Sequence, residues 1–113
     1  MKKEITIKRK EEFTRIIKAH RSFGERNMVL YYQPKAETVS RIGISVTTKL
    51  GNAVQRNRAK RQLRAMIDEI FKGQEDFDAV IVIKASFKDD SYSVNKKYLE
   101  SCYKKVKISG VKG

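Results

Sequence analysis

The segment from Leu50 to Arg64, LGNAVQRNRAKRQLR, places positive charge where a helix needs apolar side chains. Leu63, Met66, Ile67 and Ile70 recur at helical spacing and define a core-facing stripe. At about 100° per residue, with Leu63 as origin, that stripe lies between about −60° and about +40°. Arg56 falls at about +20°, Lys60 at about +60°, Arg64 at about +100° and Asn57 at about +120°. Arg56 therefore continues the core line itself. Burying an unpaired guanidinium is very costly, so the N-terminal half of this helix must project beyond the core or line a wet surface. Asn52 stands in the N-cap position, and the helix is predicted to run to Phe71 or Lys72 and to stop at Gly73.

No acidic residue interrupts the run between Leu50 and Ala65. Arg56, Arg58, Lys60, Arg61 and Arg64 crowd the end of the helix where the macrodipole disfavours cations. A solvated charged face usually mixes both signs. A phosphate-binding face does not, and a helix N-terminus also offers unpaired backbone N–H groups to anions. Arginine forks suit bidentate contacts to phosphates and bases. The whole chain points the same way: 26 Lys and Arg against 13 Asp and Glu leave a net charge of +13, a self-repulsion that a polyanionic partner relieves.

Other classes are disfavoured. No apolar run approaches the ~20 residues that cross a bilayer. Residues 1–10 are basic, yet no signal-type apolar core follows them, so a cytoplasmic location is expected. One cysteine, Cys102, gives no disulfide framework, and with one histidine a structural zinc site is improbable. The 113 residues are read as one RNA-binding domain.

Around the basic helix the pattern alternates between helix and strand. Lys10 to His20 is predicted as a short helix with Phe13, Ile16, Ile17 and His20 in one stripe. Arg21 to Asn27 reads as a turn or short irregular strand. Met28 to Gln33 reads as a strand with Met28, Leu30 and Tyr32 on one face and Val29 and Tyr31 on the other. Arg41 to Thr48 is a further strand, with Ile42, Ile44 and Val46 opposite Gly43, Ser45 and Thr47. That small face either meets solvent or leaves room for something to lie against the sheet. Ala79 to Ile83 is a short apolar run, as expected of a strand buried on both faces. Ser91 to Lys107 is the last predicted helix, with Val94, Tyr98, Leu99, Cys102, Tyr103 and Val106 on one side; the tail from Ser109 is expected to be loose.

A self-sufficient nuclease would need metal-binding carboxylates or a histidine-centred acid–base pair. Glu11 and Glu12, Asp76 and Asp78, and Asp89 and Asp90 are the available pairs, none beside another catalytic group. His20 is expected at a helix end. No catalytic residue and no metal ligand is assigned.

The run from Lys49 to Arg64, centred on Arg56-Asn57-Arg58, resembles the signature helix, or RNR motif, of the bacterial ribonuclease P protein family. IKRKEEFTRI, MVLYY and RIGISVTTKLGNAV stand in that family's order, and the resemblance covers Ile5 to Ile83, weakening towards the C-terminus. It implies an α+β fold, an α/β sandwich of α-β-β-β-α-β-α order. It also implies a left-handed βαβ crossover, against the right-handed form found in ~98% of such units. It implies that Asn52, Arg56, Asn57, Arg58, Lys60, Arg61 and Arg64 bind the catalytic RNA subunit. Phe13, Ile17, Tyr31 and Ser45 would line a cleft for the single-stranded 5′ leader of precursor tRNA, with Mg²⁺ acting through the RNA. Ile17 departs from the aromatic frequent at its position. From pattern alone Phe13 reads as core more readily than as cleft. The partners implied are that RNA and precursor tRNA, with no obligate protein partner. A ribosomal-type structural RNA-binding protein would share the charge and size.

Overall fold

The computed structural model describes residues 6–19 and 21–110. The elements run α1 (Lys10–Lys18), β1 (Ser22–Glu25), β2 (Met28–Pro34), β3 (Ile42–Val46), α2 (Ala53–Ile70), β4 (Phe77–Ile83) and α3 (Tyr92–Ser109), with short 3₁₀ turns at Thr48–Leu50 and Ala85–Asp89. This is the expected α-β-β-β-α-β-α order, and the segment left open between turn and strand is β1.

The sheet order is β1-β2-β4-β3. β2 pairs antiparallel with β4, Leu30 opposite Ile81, and β3 pairs parallel with β4, Ile44 opposite Ile81. β4 is the apolar run expected to be buried on both faces, extended upstream to Phe77 by pairing with Pro34. One sheet face carries Met28, Leu30, Tyr32, Ala79, Ile81, Ile83 and Ile42, which join Leu63, Met66 and Ile67 of α2 and Leu99, Cys102 and Val106 of α3 in the main core. Burial of each large apolar side chain there contributes about 1.5–3 kcal/mol. The opposite face carries a much smaller cluster of Ile7, Ile16 and Val80 beneath α1.

Polar side chains fix the ends of the long elements. Asn52 Oδ1 accepts the Gln55 N–H at 2.9 Å and Gln55 Oε1 accepts the Asn52 N–H at 3.0 Å, a reciprocal cap for α2. A Cβ at Gly51 would stand 1.8 Å from that Gln55 oxygen, so a side chain there would displace the cap. α2 ends at Ile70, a residue before the expected end, because the buried Glu75 carboxylate takes the N–H groups of Lys72 and Gly73 at 2.8 and 3.0 Å. Tyr103 donates its hydroxyl to the same carboxylate at 2.7 Å.

Other boundaries moved for similar reasons. β3 stops at Val46, short of Thr48, because the Thr47 hydroxyl accepts the Lys49 N–H and starts a 3₁₀ turn. α3 continues past Lys107 to Ser109, whose hydroxyl donates to the Val106 carbonyl. Val94, expected on the buried side of α3, is 37% exposed, whereas Asn95 is fully buried. Asn95 donates to the Phe87 carbonyl at 3.0 Å and accepts from Asn27, so polar pairing rather than apolar contact sets the rotation of α3's first turn. His20 and residues 111–113 lie outside the described residues, so the expectations for them do too.

Candidate nucleic-acid interface

α2 divides into two halves along one stripe. Leu63, Met66, Ile67 and Ile70 are buried, and so is Ala59, a small residue that the apolar pattern did not single out. Beyond Ala59 the stripe turns cationic. Arg58, Arg61, Arg64, Asn57 and Asn52 are exposed, whereas Arg56 and Lys60 are only half-buried. Of the two possibilities for this half, projection beyond the core or lining a wet surface, Arg56 fits the second. Its Nε is buried without a hydrogen bond, while the residue as a whole stays partly open. The aliphatic stems of such side chains can cover apolar surface while the charge reaches water. The capping box also takes two of the backbone N–H groups expected to be open to phosphate, those of Asn52 and Gln55.

The second surface lies on the other face of the sheet. Strand register puts Tyr31 beside Val80 and Val80 beside Gly43; one row along, Val29 stands beside Val82 and Val82 beside Ser45. Tyr31, Gly43 and Ser45 thus share a face, and no large β3 side chain crowds the tyrosine. Phe13, Ile17, Tyr31 and Val82 are all partly buried around the Ile7–Ile16–Val80 cluster. Of the two possibilities for the small face of β3, room for a neighbour holds at Gly43. A Cβ there would lie 2.7 Å from Phe13 Cζ, so the ring occupies the space that glycine leaves. Phe13 is accordingly both core and cleft wall. Ser45 stays half-buried, and Val29 and Val82, which the strand patterns did not mark as site residues, are half-buried along the same row.

The two surfaces meet. A crevice of about 140 Å³ is lined by Thr6, Ile7 and Phe13 together with Ile44, Lys60 and Arg64.

The sequence model of the family described as Ribonuclease P matches residues 1–107. The chain belongs to the ribonuclease P protein family. The ribonuclease P protein component of Shouchella clausii (strain KSM-K16) is 40% identical over 111 residues, covering 96% of this chain and 90% of the relative. A solved Staphylococcus aureus RNase P protein, a mutant with defective mRNA degradation activity, superposes with a TM-score of 0.84 at 33% identity, over 93% of this chain and 90% of that one. The Thermotoga maritima RNase P protein, 23% identical, shares the fold at a TM-score of 0.78 over 89% of this chain and 96% of its own. Membership in this family gives the chain a role in tRNA processing as an RNA-binding component of a ribonucleoprotein.

One member of each acidic pair noted in the sequence has a structural partner. Asp90 accepts from Arg26 and Asn27. Asp78, buried in β4, accepts the N–H groups of Arg41 at 2.8 Å and Ala36 at 3.2 Å and so closes the loop before β3. Glu12 of α1 forms an ion pair with Arg41, which also reaches Glu37 at 3.5 Å. The Glu12–Arg41 pair escaped sequence analysis because 29 positions separate partners that only the folded sheet brings together. The hydrogen bond from Arg41 holds the Glu12 carboxyl below its ordinary value of 4.5, against the opposing effect of burial. A carboxyl with a depressed folded pKa stabilises the native state fully above its unfolded value, and that contribution is lost as pH falls through the lowered folded value. In an NMR titration the Glu12 carboxyl carbon should therefore show a midpoint below 4.5, and Arg41→Met should move it upward. A native midpoint at or above 4.5 would mean the pair does not form in solution.

Proposed function

We propose that α2 binds the ribonuclease P RNA subunit and that the cleft between α1 and the sheet holds the single-stranded 5′ leader of precursor tRNA. Hydrolysis of the phosphodiester at the leader boundary is then the work of the RNA and its Mg²⁺ ions, with the protein supplying affinity and alignment. The observation that carries this reading is the meeting of two chemically distinct surfaces at Phe13. One is a helix end of arginines and a lysine, suited to structured RNA phosphates. The other is a half-open sheet face with an aromatic ring on each side, suited to sequence-tolerant stacking of a single strand.

Each residue has a definable part. Arg58, Arg61 and Arg64, exposed on α2, would contact phosphates of the RNA subunit, with Asn57 beside them. Arg56 and Lys60, partly sunk, would hold the helix against RNA close to the sheet, and Asn52 orders the helix end. In the cleft, Tyr31 offers a ring to a leader base and Phe13 forms the opposite wall. Ile17 adds apolar contact without stacking, and Ser45 leaves width for the strand. Such a particle would act in the cytoplasm on precursor tRNA, and α2 and the cleft require no further protein subunit.

Three experiments address this. The protein freed of RNA should not cleave precursor tRNA, and adding ribonuclease P RNA with Mg²⁺ should restore cleavage; metal-dependent cleavage by RNA-free protein would overturn the assignment of catalysis. Arg58→Ala and Arg61→Ala should each flatten the log–log salt dependence of RNA-subunit binding by up to ~1 unit, leaving thermal stability nearly unchanged. Unchanged slopes in both would return α2 to an ordinary solvated face. Losing a stacked base costs ~1–3 kcal/mol. Tyr31→Ala should accordingly weaken holoenzyme binding to leader-bearing precursor tRNA and spare mature tRNA. Equal weakening of both, with the fold intact, would remove the leader from the cleft.

A further inference from the structure

α1 is held to the sheet by little that has direction. Its one buried side chain is Ile16, and Phe13 and Ile17 are only partly covered. Apolar contact is non-directional and lets a short helix slide or roll on a sheet. Cleft width and the pose of the Phe13 ring depend on exactly that degree of freedom. Two restraints oppose it. Upstream, the Ile7 N–H donates to the Ile42 carbonyl at 2.9 Å. On the helix itself, Glu12, the residue beside Phe13, pairs with Arg41.

Arg41 is suited to be the fixed end of that pair. Its N–H is bound by the buried Asp78 carboxylate, and its carbonyl accepts the Ala79 N–H at 3.0 Å, so its backbone is tied to β4 on both sides. Its side chain is only 13% exposed and that of Glu12 18%. An ion pair so sheltered is screened by salt much less than an exposed one.

We infer that Arg41 and Glu12 are positioning residues for leader recognition: the pair, anchored through Asp78 to β4, sets where α1 lies and hence how the Phe13 ring faces the cleft. Neither side chain needs to touch the leader. This rests on the cleft being the leader site. Arg9 just before α1, Arg15 of α1, Glu37 of the loop and Asp78 of β4 are the charged groups around the pair. Removal of Glu12 leaves Arg41 only the exposed Glu37 at 3.5 Å, a loop residue that does not tie the arginine to α1.

The test compares wild type, Glu12→Gln, Arg41→Met, the double variant, Arg41→Lys and Tyr31→Ala, each reconstituted as holoenzyme with ribonuclease P RNA. Dissociation constants are measured for precursor and mature tRNA, with thermal unfolding of each protein as control. Groups in contact couple rather than act independently. Each single variant should lower the precursor-over-mature preference by about three- to tenfold, within the range that such coupling allows. The double variant should fall no further than the singles, Arg41→Lys should recover part of the loss, and mature tRNA binding should hold. If Tyr31→Ala lowers the preference but the pair variants, folded, do not, the inference is overturned and the leader site stands. If Tyr31→Ala also has no effect, both fall. Additive losses in the double variant, equal weakening towards both tRNAs, or global unfolding of the single variants would each mean that the pair does not aim α1, and would likewise overturn the inference.

Discussion

The apolar side chains on both faces of β4 dictate the layering. Ala79, Ile81 and Ile83 need cover on one side and Val80 on the other, so the strand must be central and the sheet must be sandwiched. The cover is unequal. α2 and α3 have 18 residues each and close one face, whereas α1 has nine and can reach only part of the other. At 1.5 Å per residue α1 is about 14 Å long, whereas a seven-residue strand extends roughly 23 Å. The cleft is what remains of the sheet after a helix too short for it has been laid down.

The main layers were legible from the sequence because they rest on period. Alternation in Met28 to Gln33, the uninterrupted apolar run at Ala79 and the stripe from Leu63 to Ile70 each have one geometric solution that buries them. What escaped was set by contacts distant in the chain. Val94 and Asn95 are neighbours whose burial is inverted because Asn27, 68 positions away from Asn95, supplies the partner that lets an amide go inside. No local pattern announces such a pair. The same holds for Glu12 and Arg41, and for Glu75, an acid in a polar loop that proves to be buried as the stop of α2.

The candidate surfaces were legible to different degrees for a similar reason. Charge on α2 is visible in one dimension, since a run of cations without an acid stays a run when coiled. How deep each cation sits is not: Arg56, on the core line one turn before the buried Ala59, is half-buried, whereas Arg58, Arg61 and Arg64 are exposed. On the sheet, the small residues of β3 had two readings, and only the placement of α1 assigns them separately: Gly43 is filled by a ring, and Ser45 remains partly open.

That filling has a consequence for how the chain can change. The Phe13 ring stands where the first carbon of any side chain at position 43 would be, so the two positions share one volume. A larger residue at 43 fits only with a smaller one at 13, or with α1 lifted from the strand. Drift at either position is thus steered by the other, although the two are 30 positions apart. A cleft wall that doubles as a packing element cannot be retuned for a different strand without moving the floor it rests on.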